Sequence, residues 1–498
     1  MARLPRRNFL RNVGAGFLGG GVAAGAFGRG LANPFEDPKV TPELVQLRSE
    51  IEPVVRWIES TPRDKILEKA AEELHKGLPY RQLLAGLFLA GIRNIKPRPV
   101  GFKFHAVMVV ESAHQLGLDS PESDRLLPLF WALDNFKSAQ EADVREGDWA
   151  LGPLKESAVP SVSEARRRFE EAMAKWDEAA ADSAVVGFLR AAGTGELEES
   201  LWRLGARDWQ NIGHKAIFTA HAIRTLRTIG WQHAEPVLRS LVYALLTGGE
   251  SETSASHAKS FALAETIRPE WAGGKADSAA MTALLGVLRQ AKPEEAALEA
   301  ARAINNGVAA SSVWDAVLLA GADLLVRSPG IVAIHAMTAA NSLHFAFQSS
   351  GVDRTRLLCL LQACSWICHY REAFKSRGGL PDGPRIEDLQ PEPNGPAAPG
   401  EIFQDLTKDR GLSARRLLAF ASGSQPLDQL FDTARRLVFA KGTDAHDYKY
   451  ASALIEESRL ISPHLRPRLI AASAYQLKGA SEADSPLLER SRKALGMV

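Results

Sequence analysis

Leu44-Val45-Gln46-Leu47-Arg48-Ser49-Glu50-Ile51-Glu52-Pro53-Val54-Val55-Arg56-Trp57-Ile58 sets the pattern that decides the fold. Its apolar residues Leu44, Leu47, Ile51, Val54, Val55 and Ile58 recur at spacings of three and four, which lines one face of an α-helix. The same rhythm returns over 64–76, 80–95, 104–117, 122–137, 163–192, 196–204, 213–229 and 234–247. It continues through 278–290, 294–306, 311–326, 330–349, 353–376, 414–422, 427–440, 445–460 and 465–478, with breaks at Gly, Pro, Asn or Ser. Strand-like alternation is nearly absent, so the expected fold is all-α: one large irregular helical array without significant sheet. No repeat of 34 or 40 residues marks a regular solenoid.

The chain has 498 residues, 45% hydrophobic and 24% charged, with 60 Lys and Arg against 59 Asp and Glu for a net charge of +1. That balance, with no basic run interleaved with aromatics beyond the N-terminus, argues against a nucleic-acid partner. Residues 1–32 read as a twin-arginine export signal. Arg6 and Arg7 precede Phe9, an apolar glycine-rich run spans 13–27, and Gly30-Leu31-Ala32 offers small residues for cleavage. The expectation is export through the twin-arginine machinery to the periplasm or beyond, as a folded protein that has often taken up its cofactor first. No later segment has the ~20 apolar residues of a membrane span, so residues 33–498 are expected to form the soluble domain.

Three cysteines, Cys359, Cys364 and Cys368, fall in one helical stretch and exclude a disulfide framework. Cys364-Ser365-Trp366-Ile367-Cys368-His369 has three residues between the cysteines where the usual haem attachment motif has two, and reads as helix interior, so haem is not expected. The one long irregular segment is 377–400, with six prolines; a loop of that length in a compact protein is usually functional or disordered. We place it over the substrate entrance.

Four helices each carry a histidine among apolar and small residues: His105, His214, His335 and His446. Singly, each reads as a core histidine bonded to a backbone carbonyl. Together they point to a metal, because every buried imidazole needs partners for two nitrogens and one ion satisfies four at once. Iron and zinc both suit such donors. His114 and His344 lie nine residues beyond His105 and His335, on the opposite helix face, and read as supporting or structural. His221, seven residues after His214, shares its face and stands as an alternative ligand. In Thr443-Asp444-Ala445-His446-Asp447-Tyr448-Lys449-Tyr450, which opens a helix to about Leu460, His446 and Lys449 share a face, and a lysine there alone would simply reach for solvent.

In order along residues 100–460, Phe104-His105-Ala106 with Ser112-Ala113-His114-Gln115-Leu116-Gly117, Gly213-His214, Ile334-His335-Ala336-Met337-Thr338 and Asp444-Ala445-His446-Asp447-Tyr448-Lys449 resemble the successive motifs of the questin oxidase family. The resemblance is distant, and its most specific piece is Asp-x-His-x-x-Lys. It implies a non-haem iron oxygenase that uses O2 to oxidise or open a ring of a small aromatic, polyketide-type substrate. It further implies iron held by His105, His214, His335 and His446 with a carboxylated Lys449, and Thr338 lining the site. Lys215 stands where that family has proline, which keeps His221 open, and the export signal is a second departure. A carbamate on Lys449 also makes physical sense, since it gives an anionic oxygen donor to a site that four neutral imidazoles leave cationic. The competing expectation is an exported, non-catalytic helical scaffold with remnant motifs.

Overall fold

The computed structural model describes residues 43–381 and 383–497, and the export signal read in residues 1–32, with Arg6 and Arg7, lies outside them. Among the described residues the chain forms 22 α-helices and short 3-10 turns, packed as one helical array. The only β pairing among the described residues is an isolated bridge between Lys275 and Val308. No described helix is long and apolar enough to cross a membrane.

Boundaries differ from the periodicity where local chemistry intervenes. The first described helix runs Glu52–Ser60 and does not begin at Leu44, because Pro53 lacks an N–H and fits only a first turn. Val45 instead donates its N–H to the Leu151 carbonyl at 2.8 Å. The long pattern over 163–192 is two helices, Ala165–Ala174 and Glu178–Ala191. Trp176 turns left-handed (φ 56°) between them, and the Asp177 side chain caps the second by accepting from the Ala180 N–H. Helices at Glu252–Ala264 and Pro486–Ala494 go beyond the periodic set; the first is built largely of Ala and Ser, the second mostly of polar residues, and neither announces a wide apolar face. The described residues of segment 377–400 form an irregular strap with a short turn at Ile386–Asp388, and its end enters the helix Pro399–Asp405. Arg327 and Arg468 donate to its Pro381 and Ile386 carbonyls, and Glu387 pairs with Arg289.

Four helices build the centre: α1 (His105–Leu118), α2 (His214–Ile229), α3 (Ile331–Ser349) and α4 (Ala445–Leu460). They pack in a closed ring, α1 on α2, α2 on α3, α3 on α4 and α4 on α1. Their interior faces are buried along nearly the whole length. Outside them lie further apolar helices, among them Tyr80–Asn94 against α1 and Asp353–Ala373 against α3. The four histidines sit in the first or second turn of their helices, so four helix N-termini converge on one point.

Candidate metal centre

Each helix begins differently, and each beginning aims an imidazole inward. Before α2, Asn211 (φ 56°), Ile212 (φ 51°) and Gly213 (φ 81°) are left-handed in succession, a conformation that strains a β-branched isoleucine. Two contacts hold this turn: Tyr370 donates its hydroxyl to the Ile212 carbonyl at 2.8 Å, and a Cβ on Gly213 would meet that same hydroxyl oxygen at 2.5 Å. The turn delivers the Asn211 carbonyl to His214 Nδ1, 2.5 Å away. In α3, His335 Nδ1 lies 2.7 Å from the Ile331 carbonyl one turn back. In α4, the Asp444 carboxylate caps the helix through the His446 N–H at 2.8 Å and also accepts from His446 Nδ1. Gly101 (φ 117°), just before α1, lies so close over His214 that a Cβ there would meet its Cε1 at 2.9 Å.

One donor atom from each of His105, His214, His335 and His446 can be chosen so that all lie within 4.8 Å of one another. His214 Nε2 is 2.8 Å from His105 Nε2 and 2.8 Å from His335 Nε2. The Nδ1 atoms of His214 and His335 face carbonyl oxygens, which only accept, so both rings carry the proton there. Their Nε2 lone pairs then point at one another. Burial, reinforced by Lys449 and the neighbouring histidines, holds the pKa values of His105, His214 and His335 well below the ordinary value, which disfavours an added proton between them. A shared cation would resolve the conflict. Ligand nitrogens at about 2.0–2.1 Å from a metal stand roughly 3–4 Å apart, and the four nitrogens, with two pairs at 2.8 Å and all within 4.8 Å, bracket that spacing.

Lys449 lies one turn beyond His446, 2% exposed, and its Nζ has no hydrogen-bond partner among the described residues. Burial lowers its pKa to about 7, against an opposing pull from Asp444. Burial alone would raise the Asp444 carboxyl, but the bond to His446 and the proximity of Lys449 keep it at about 2. Thr338 Oγ1, one turn beyond His335, is likewise buried without a partner.

The remaining histidines stand apart from the four. His221 donates from Nδ1 to the Met108 carbonyl at 2.6 Å and faces a small cavity beyond Lys449, so His214 and not His221 joins the cluster. His114 meets the Tyr80 hydroxyl at 3.0 Å, and His344 bonds Glu457 at 2.7 Å beneath a stacked Trp314. Lys215, in the position after His214, turns away to a fully buried pair with Asp208 at 2.8 Å. The three cysteines are free and buried within Asp353–Ala373, with burial raising their thiols. The sequence suggests backbone carbonyls as histidine partners but does not single out those of Asn211 and Ile331, and Asp444 has no role of its own there, although its position at the start of α4 marks it as a cap.

No protein-family model, no curated protein and no solved structure matches this chain. What the residues themselves provide is a buried group of four histidines that could hold a metal ion.

Proposed function

We propose that this protein is an iron-dependent oxygenase acting on a small aromatic substrate, with iron held by His105, His214, His335 and His446 and a carboxylated Lys449 as an oxygen donor. The observation that carries the metal is the convergence of Nε2 lone pairs at 2.8 Å, with Nδ1 protons directed to fixed carbonyls. The resemblance of the Asp444-x-His446-x-x-Lys449 motif to questin oxidases supports the choice of iron and of an oxygenase. Iron, when bound, would supply the redox chemistry that O2 requires.

The chain's own groups supply the rest. Asp444 orients His446 and offsets positive charge, which matters where four helix N-termini already contribute positive potential. That potential favours an anionic donor, so a Lys449 carbamate and a phenolate substrate are both suited to the site. Thr338 Oγ1 is available to orient a ligand. Burial of His214, His335 and His446, with His105 half-buried beside them, limits access of bulk water.

The test is elemental analysis of protein prepared anaerobically with ferrous iron, followed by O2 uptake on phenolic substrates. About one iron per chain is expected, with most of it lost in His446→Ala. Absence of stoichiometric metal would remove the oxygenase reading and leave a helical scaffold.

A further inference from the structure

None of the four histidines lines the cavity that Lys449 borders. Its walls come from the same four helices, deeper in the ring: Glu111 and Ser112 of α1, His221 and Arg224 of α2, Thr338 of α3 and Lys449 of α4. These positions follow the ligating histidines by three to ten residues, which places the cavity roughly 5–15 Å further along the bundle axis. The space is about 10 Å³, enough for one water-sized molecule. An aromatic substrate does not fit there, whereas a triatomic molecule of similar width does.

We propose that this cavity is the loading subsite where dissolved carbon dioxide meets Lys449, by a route that does not pass through the metal position. The inference rests on the reading of Lys449 as an oxygen donor and adds how that donor is made. Lys449 and Thr338 both border the space, and among the described residues Lys449 Nζ and Thr338 Oγ1 are buried and without hydrogen-bond partners. The Thr338 and Ser112 hydroxyls can donate to the oxygens of carbon dioxide while its carbon meets the amine. The Glu111 carboxylate accepts from Gln115 Nε2 at 2.8 Å and from Thr225 Oγ1 at 3.2 Å, and retains lone pairs for a third donor.

In the step, the Nζ lone pair forms the N–C bond and one C=O π pair moves onto oxygen. The N–H proton passes to the Glu111 carboxylate, which borders the same space. Amine, carbon dioxide and carboxylate thus become carbamate and carboxylic acid, with total charge unchanged. Half-buried Gln115 and Arg224 mark the side from which the proton leaves to solvent.

Cyanate tests access without metal or turnover, since isocyanic acid is isoelectronic with carbon dioxide and marks amines irreversibly. The amine nitrogen bonds its carbon while the N–H proton moves to the cyanate nitrogen. In the metal-free full chain, peptide mass analysis should find Lys449 marked well before Lys215, which is buried but paired with Asp208. Ser112→Leu, which fills the cavity, should slow marking of Lys449 about tenfold or more with unchanged far-UV circular dichroism. Ala453→Leu fills it from α4 should the first variant not fold. Glu111→Gln should leave cyanate marking intact but slow carboxylation from ¹³C-bicarbonate, followed by NMR, by at least about tenfold.

Lys449 left unmarked, marking unaffected by a filled cavity, or unchanged carboxylation in Glu111→Gln would each overturn the inference. Metal content of the same samples separates the two readings. Stoichiometric metal with an unreactive Lys449 rejects the loading subsite alone, and a reactive Lys449 without metal rejects the iron centre alone.

Discussion

His214 and His335 meet through Nε2 atoms 2.8 Å apart while each gives its Nδ1 proton to a backbone carbonyl. The backbone therefore sets the tautomers, and side-chain rotation cannot exchange the two nitrogens without losing a buried hydrogen bond. This preorganisation makes the centre sensitive to residues that never touch an ion.

Asp444→Asn is the cleanest example, because asparagine caps a helix about as well as aspartate. The fold should persist. Metal affinity should fall about 10–100-fold, the usual effect of removing a carboxylate behind a ligating histidine, as measured by competition with a chelating dye.

Gly101→Ala should act through His214. The methyl group meets the ring at 2.9 Å, and the position has φ 117°, so the substitution should cost about 1–3 kcal/mol in the metal-free protein. Metal binding should weaken as well, so the rise in Tm on adding ferrous iron should be smaller than in wild type.

Metal-free protein should lose stability as pH falls. Burial pushes His221 down to about 3 in the fold, and His105, His214, His335 and His446 are also lowered, chiefly by burial. Below about pH 6.5 the unfolded chain takes up protons that the folded chain refuses, so each such histidine removes about 1.4 kcal/mol per pH unit. For His221 the loss proceeds from about pH 6.5 down to about 3. Denaturant midpoints at pH 7.5, 6.5 and 5.5 should fall in that order. A flat profile would mean that the imidazoles are already protonated or exposed.

Lys449→Ala should lower metal affinity, and formate or acetate should partly restore it by occupying the vacated donor position. Titrations of wild type and variant with and without bicarbonate give the measurement. Bicarbonate should strengthen binding only in wild type, and equal affinity in all four conditions would remove Lys449 from the site.

Much of this architecture could be read from residue spacing, and the limits of that reading are specific. Apolar residues at three and four gave the helices over 330–349 and 445–460 almost to the residue. The half-turn offset between His335 and His344 separated a site residue from a structural one, because helix geometry is local. The choice between His214 and His221 was not local. It depends on the left-handed turn at Asn211–Gly213 and on Tyr370, more than 150 residues away in sequence. Glu252–Ala264 also escaped, since a helix rich in Ala and Ser has a weak apolar stripe. Arg224 at the cavity rim is paired with Glu456, and such pairings across elements leave no mark on either segment's own spacing.

His105 and His446 are separated by 341 residues of chain, yet their ring centroids lie 4.4 Å apart. A contact of such long range cannot form until the intervening helices have docked, so the four-histidine group has no counterpart in a partly folded chain. Imidazole donors on their own follow an affinity order that does not single out iron. Which ion such a group would capture would then depend on the metal pool surrounding the chain at the moment folding finishes, and timing and compartment would become part of its selectivity.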